Sequence, residues 1–547
     1  MVFAATLTSL LTYAIVLPNY TAQLYWHANT RCEEGDVNAI FRFRGIYHIF
    51  HQFRNRPHTS IGHQASTDLL HWHRLPDALE SGASGDEQCY DGGASLVPHS
   101  RTGRPAPMLM IDGGCAKKGP PGPACMESSG NNTGGVIAFP TDMDGDPNLT
   151  KWERIGPTSW RPCKSSAWPS PIWLNPVTHK FNLLAVHGFG EARFEAEDES
   201  FTRWKLADEA FLMGMRGLGG GMWHALPPNV DGVSGGRWPT HIFQGALGHA
   251  FNGLPTFVMG VYDPTLQTYT NISQPVLLDG GGGVDYGQLS WSDDDKAEGR
   301  CLFISWLRLT EPTPPDCGTQ GLLTAIRDLR YDPRLDTLVH TPIVEYYHLR
   351  SAQPIFGGSA ERTLKAGAPP VILYSPTASP NSATPAVEGG STAAVTTTAA
   401  ATSAGGTKRL AVAHGGVSLD AEFNVSVPAS LGGASAKLAV RCGDVATCTG
   451  GATVTLGISP LGADGTRWVE MHVDYAYHVT RSFLMLKGEQ SLCLRVLSDT
   501  RSLEIFAAHG RGVASITMLS SAGIVTAAAE TSDLEVVAAG WGMALYK

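Results

Sequence analysis

Five strand-like runs set the tightest limit on what this chain can become. They read AIFRFRGIYHIFHQF, PAPMLMIDGG, HKFNLLAVHG, LPTFVMGVYD and RCLFISWLRL, and they recur between residues 39 and 309. Turns rich in Gly, Asp or Pro follow each one, often with a Trp nearby, as at Trp72, Trp152 and Trp204. No long apolar stripe of helical period accompanies them. Short apolar runs punctuated by turn residues build sheets rather than bundles. Recurrence of one sheet-sized unit points to radial repetition, a β-propeller with about one sheet per unit, although a large sandwich would produce similar spacing.

A second module follows. From Ser375 to Gly406 the chain reads SPTASPNSATPAVEGGSTAAVTTTAAATSAGG, with one charge and almost nothing to bury. Such a segment is a flexible linker or loop, open to O-glycosylation. Beyond it, LDAEFNVSV, WVEMHVDY and SLEIFAA read as alternating strands. The expectation is an all-β protein in two modules: residues 25–352, and residues 353–547 with the low-complexity loop at about 375–406.

Composition excludes some functions and suggests a route. The formal net charge of −10 gives no basic surplus for holding phosphate backbones, so nucleic acid is not an expected partner. No run reaches the roughly 20 apolar residues that span a bilayer. Ala4 to Pro18 has the length of a signal-peptide core within a possible signal segment 1–24, yet no Lys or Arg precedes it and the first is Arg31. A buried first strand, or a start at the wrong Met, remains open. The ten cysteines span Cys32 to Cys493; Cys442 and Cys448, or Cys115 and Cys125, could close short loops. None has zinc-ligand spacing, and no cofactor is expected. Acceptor sequons stand at Asn19, Asn131, Asn148, Asn271 and Asn424. Together these favour the secretory pathway, with an extracellular or vacuolar destination.

The run from Gly35 to Phe53, GDVNAIFRFRGIYHIFHQF, followed by Gly62-His63 and STDLLHWHRLP, is where a family comes into view. It resembles the first blade of glycoside hydrolase family 32, the invertases, inulinases and fructosyltransferases. Those proteins carry Asn-Asp-Pro-Asn-Gly, Tyr-His-Leu-Phe-Tyr-Gln, Gly-His, and Asp-Leu-x-His-Trp before Leu-Pro. Asp36 falls on the family's nucleophile and Asn38 on its second Asn, while Val37 and Ala39 replace Pro and Gly. Gln52 ends the second motif. Downstream, Tyr90-Asp91-Gly92-Gly93-Ala94 is similar to the Gly-Ser-Ala segment, and Val284-Asp285-Tyr286-Gly287 to Phe-Asp-Tyr-Gly. Arg300 with CLFISW, Ile326-Arg327-Asp328-Leu329 and Pro342-Ile343-Val344-Glu345 parallel later elements. In the second module, LRVLSDTRSLEIFAAHGRGVASI and Trp541-Gly542-Met543 resemble the family's sandwich strands. The resemblance implies a five-bladed β-propeller followed by a C-terminal β-sandwich.

It also implies a chemistry, with departures. A retaining glycosidase uses two carboxyl groups about 5–5.5 Å apart, one as nucleophile and one as acid then base. The family adds a third, in Arg-Asp-Pro, that grips the sugar hydroxyls. At that place stands Ala167-Trp168-Pro169, with Trp168 at the Asp position. The family's Trp-Glu-Cys-Pro corresponds to Trp223-His224-Ala225-Leu226, with His224 at the acid/base position. A protonated imidazole can act as general acid. Trp168 has one donor and no acceptor, which suits stacking on a sugar face. Glu191, Glu195, Asp91 and Asp285 are further carboxylates that could be recruited, and Glu345 is another pocket candidate. His48, His51, His63, His71 and His73 look like a metal cluster at first sight, but alternation along a strand divides them between faces.

The reading that follows is a β-fructofuranosidase-type hydrolase of sucrose or fructans. Asp36 would be the nucleophile and His224 the acid/base, with Asn38, Gln52, Asp91, Trp168, Trp223 and Asp285 binding substrate. Two alternatives stay open: a sugar-binding pseudoenzyme, or a hydrolase of another furanoside with a rearranged acid/base.

Overall fold

The computed structural model describes residues 34–55, 58–80, 89–113, 136–157, 170–187, 190–213, 222–225, 239–246, 255–271, 276–277, 279–280, 284–289, 300–308, 321–374, 418–442, 451–475, 478–499, 501–518 and 524–542. Five antiparallel sheets of four or five strands come first in sequence, and two six-stranded sheets follow. The first sheet runs from Glu34–Phe43 to His73–Leu79, the second from Cys89–Pro98 to Trp152–Pro157, and the third from Trp173–Leu174 to Trp204–Met213. The fourth begins with Met222–Ala225 and the fifth with Val284–Leu289. Each of the five strand-like runs between residues 39 and 309 lies in a different one of these sheets.

Apolar clusters show that the five sheets form a closed ring. One joins Phe41, Phe50 and Ile61 of the first sheet to Leu109 and Ile111 of the second. Another joins Met108 and Phe139 to Leu183 and Trp204 of the third. Leu184 and Leu212 meet Phe243 and Tyr262 of the fourth, and Ile242 and Met259 meet Phe303 and Leu329 of the fifth. Val37, Ile40 and Ile49 then close the circle against Leu302 and Ile304. Every blade thus buries both faces, which is why its strands read as apolar runs rather than strict alternation.

A shared turn enters the last strand of three blades. The indoles of Trp72, Trp152 and Trp204 donate from Nε1 to the carbonyls of Leu69, Leu149 and Phe201, at 3.0, 2.7 and 2.8 Å. Those three acceptors have φ of 64°, 53° and 57°, the left-handed region that side chains rarely adopt. Asp68, Asp146 and Asp198 cap the same turns through backbone N–H groups. The Asp and the Trp thus hold a conformation that the residue between them disfavours.

The two six-stranded sheets face each other across one core that includes Leu438, Val454, Met471, Leu494, Ile505 and Val536. Strands such as Ala452–Ile458 alternate buried and half-buried residues, as a sandwich requires. Sandwich and propeller lock together at Arg327, whose side chain is 0% exposed. Its Nη1 donates to Asp279 at 2.7 Å, and its Nη2 to Glu504 at 2.7 Å and Ser515 Oγ at 2.5 Å. Glu504 also accepts from the Ala325 amide at 2.6 Å. Asp279, Ala325 and Arg327 belong to the propeller part of the chain, Glu504 and Ser515 to the sandwich.

Of the cysteines weighed for bridging, Cys115, Cys125 and Cys448 lie outside the described residues, and Cys442 is described as backbone only, at the end of Ala434–Cys442. The signal-like segment and the low-complexity loop, through residue 417, also fall outside them. Among the described residues no helix is long and apolar enough to cross a membrane.

Candidate active site

The strand that opens the first sheet packs against those that open the second and the fifth, so all three face the centre of the ring. All three share an irregular start. Between Glu34 and Val37 the strand advances three residues while its partner moves two, from Phe53 to His51. The same offset separates Cys89↔Gly113 from Gly92↔Ile111, and Val284↔Leu307 from Gly287↔Ser305. The residues inside these bulges are Gly35-Asp36, Tyr90-Asp91 and Asp285-Tyr286. One acid therefore sits in the opening bulge of each of three adjoining inner strands. Bulges release a residue from the pleat and re-aim it, and they concentrate beside active sites.

A second irregularity follows in the first strand, between Val37 and Ala39, and it takes in Asn38. Its effect on packing is visible. Val37 joins Ile40 in the cluster shared with the fifth blade, whereas Ala39 joins Phe41 on the side of the second. In an unbroken strand, residues two apart would share a face. In the second blade, a Cβ on Gly92 would lie 2.1 Å from the Met110 carbonyl oxygen, so that bulge admits only glycine.

Asp36 is 7% exposed and Asn38 and Gln52 are 1% exposed, so the cluster is almost dry. Gln52 Nε2 donates to Asp36 Oδ2 at 2.9 Å. Behind it, Gln64 Nε2 donates to His51 Nε2 at 3.1 Å, and His51 Nδ1 lies 3.0 Å from the Gln52 carbonyl. Since an amide nitrogen only donates and a carbonyl only accepts, His51 carries its proton on Nδ1. Burial lowers its pKa to about 4, against a raising hydrogen bond to Gln52, with Arg74 lowering it further. His51 is thus a neutral relay that fixes the Gln52 backbone. Gly62 is part of this support, because a Cβ there would stand 2.7 Å from the His51 ring.

The other histidines are structural. His48 Nδ1 and His63 Nε2 are 3.0 Å apart in a buried stack with Phe41 and Phe50. Desolvation lowers the His48 pKa to about 3 and puts that of His63 well below its usual value. His71 pairs with Asp68 at 2.6 Å in a surface turn, and His73 is exposed. Among the described residues no group of His, Cys, Asp and Glu is arranged to hold a metal ion.

The remaining candidates divide. Trp168 lies outside the described residues. Trp223 and His224 are described as backbone in Met222–Ala225, which opens the fourth blade; His224 pairs with Ile242 and Trp223 with Phe243. Asp91 and Asp285 are likewise placed by backbone, and the side chains of all four lie outside the described residues. Two of the spare carboxylates are already engaged: Glu345 with Arg300 at 2.7 and 3.2 Å, and Glu195 with Arg193 at 2.8 Å. Glu191 differs. It is buried on the third strand of the third blade opposite Val186 and Leu212, and Oε2 has no hydrogen-bond partner among the described residues. Burial raises its pKa well above the ordinary carboxylate value. The bulges, the His51 relay and the isolation of Glu191 are not readable from residue spacing; only the glycines at 62 and 92 signal the tight approaches.

Comparison with known proteins fits this arrangement. Residues 34–120 match the N-terminal domain of glycosyl hydrolases family 32. The chain is 26% identical over 343 residues to a fructan 1-exohydrolase of Bromus pictus, a stretch covering 58% of this chain and 53% of that protein. It is 24% identical over 347 residues to an insoluble beta-fructofuranosidase isoenzyme of Arabidopsis thaliana, covering 58% of each. The chain therefore spans about half the length of the curated relatives it matches. Among solved structures, fructan 1-exohydrolase IIa from Cichorium intybus superposes with a TM-score of 0.70 at 16% identity, covering 96% of this chain and 98% of that one. Exo-inulinase from Aspergillus awamori gives 0.66 at 17% identity, covering 96% and 100%. The family resemblance drawn from the motifs holds, and the five-bladed propeller with a sandwich is the shared fold.

Proposed function

We propose that this chain, a divergent relative of glycosyl hydrolase family 32, is a glycoside hydrolase of the β-fructofuranosidase type acting on sucrose or fructans. The observation that carries the reading is the placement of Asp36, Asp91 and Asp285 in the opening bulges of three adjoining inner strands, with Asp36 held by Gln52. In the reaction, an Asp36 carboxylate oxygen attacks the anomeric carbon of the fructosyl unit while an acid protonates the departing glycosidic oxygen. Water then attacks the fructosyl ester, giving its proton to the same group and releasing the sugar and Asp36. By its place in the motif, His224 is the residue proposed to supply that acid. Asn38, Gln52, Asp91, Trp168, Trp223 and Asp285 complete the proposed substrate site.

The test is sugar release from sucrose, inulin, levan and arabinofuranosides, with the anomeric configuration of the first product followed by NMR. Release of fructose with retained configuration is expected. Inversion would rule out the covalent intermediate, and cleavage confined to arabinofuranosides would move the chain to another furanoside. A second reading, sugar binding without turnover, is favoured by Trp168 and His224 standing where the family has carboxylates; it predicts binding to these sugars with no release.

We further assign the chain to the secretory pathway, bound for the extracellular space or the vacuole. Support comes from the sequons: Asn148, Asn271 and Asn424 are all exposed, whereas Asn19 and Asn131 lie outside the described residues. The modules proposed are residues 25–352 and 353–547, each carrying its own core.

A further inference from the structure

A cavity of about 200 Å³ opens between propeller and sandwich, sharing no residue with the Asp36 cluster. Val276, Leu277, Leu335 and Leu338 line it from the propeller side, and Trp468 and Arg481 from the sandwich. Among the described residues the lining contains no Asp or Glu. Its two guanidinium groups are unlike. Arg511 is committed to Glu489 through two bonds of 2.6 and 2.5 Å. Arg481 has no such partner: Nη2 donates to the Leu277 carbonyl, and the buried Nε meets no acceptor among the described residues. Burial lowers its proton affinity, with Asp279 alone acting the other way. Asp279 is itself bonded to Arg327 and Ser515. A guanidinium drawn from water without a counter-charge is costly, and an anion beside it recovers that cost.

The rest of the cavity restricts which anion. Trp468 is 56% exposed, a large indole left in water at the cavity wall, and the leucines opposite offer no hydrogen bonds. A site whose described lining offers one guanidinium without a carboxylate partner, Arg481, beside leucines, Phe483 and Trp468 suits a singly charged, amphipathic ligand better than a phosphate. Size agrees, since a cavity of about 150 Å³ holds benzene. We propose that this cavity binds a small organic carboxylate carried on an apolar ring or short chain, with Arg481 as counter-charge and Trp468 as the face against which the apolar part lies. Because both modules line it, an occupant also ties them together.

Calorimetric titration of the full chain tests this, with benzoate as probe and benzyl alcohol as its uncharged counterpart. Benzoate is expected to bind saturably with one site, and benzyl alcohol at least tenfold more weakly. Arg481→Gln should weaken benzoate at least tenfold, Arg481→Lys much less, and Trp468→Ala several-fold. Asp36→Asn should bind benzoate as the parent does, which separates this site from the proposed catalytic one. The proposal is overturned if benzoate does not bind, if Trp468→Ala and Arg481→Lys both leave binding unchanged while Arg481→Gln fails to fold, or if inorganic phosphate binds as well as benzoate.

Discussion

Replacing Arg327 by methionine isolates the energetics of the clasp between the two modules. The side chain is 0% exposed, as are Asp279 and Glu504, so no solvent screens the bonds it makes. Removing one partner of a buried ion pair costs about 3–5 kcal/mol, chiefly because the other charge stays buried without compensation. Here a single truncation strands two carboxylates and takes a donor from Ser515. The two losses share one guanidinium and do not add, so about 3–5 kcal/mol is a lower scale. For a module of 150–250 residues each kcal/mol moves the melting temperature by about 2–4 °C, which gives a fall of roughly 6–20 °C. Scanning calorimetry of the full chain reads it directly. A rescue is expected as well. Neutralising both stranded acids, in Arg327→Met with Asp279→Asn and Glu504→Gln, should recover much of the loss, because a network removed whole leaves no uncompensated charge. A single variant melting within about 1 °C of the parent would refute the reasoning, and so would a triple variant no better than the single.

Three further outcomes follow from other parts of the molecule. Gln52→Leu keeps the volume but removes the donor to Asp36; a hydrogen bond to a charged group is worth about 1.5–3 kcal/mol, so kcat/KM should fall by roughly 10- to 150-fold, and a change under twofold in steady-state assays would detach Gln52 from the chemistry. His48 and His51 are neutral in the fold with pKa lowered to about 3 and about 4, so the unfolded chain takes up protons that the native one refuses as pH drops below about 6.5. Stability is then lost between pH 6.5 and 4, at about 2 kcal/mol per histidine by pH 5, and equal urea midpoints at pH 7 and pH 5 would contradict this. Gly92→Ala forces a Cβ against the Met110 carbonyl; activity and melting temperature should both drop, and a variant of parental stability would show that the bulge can relax.

Much of the fold was legible in the chain. The five apolar runs each mark a blade because a blade buried on both faces must be apolar in its central strands. The Trp72, Trp152 and Trp204 signal was real but incomplete: what repeats is an Asp, a left-handed residue and the Trp that accepts its geometry, and the middle member varies from Leu to Phe. The site was harder to read. Alternation along a strand predicts faces correctly until a bulge shifts it, and nothing in Asp36-Val37-Asn38-Ala39 announces two bulges. The histidines show the opposite case, in which a metal-like composition resolves into a dry stack and a relay once the register is known. Arg327 and Glu345 were visible only as motif positions; their partners are distant in sequence, at 279, 504 and 300, and spacing carries no sign of them.

The most direct test of the proposed chemistry compares fructose release from sucrose and inulin by the parent chain and by Asp36→Asn. Loss of turnover by about 10³-fold or more, with the fold intact by circular dichroism, is the outcome expected of a nucleophile. Undiminished turnover in Asp36→Asn would contradict the assignment, and a parent chain that binds both sugars but releases nothing would contradict the hydrolase itself.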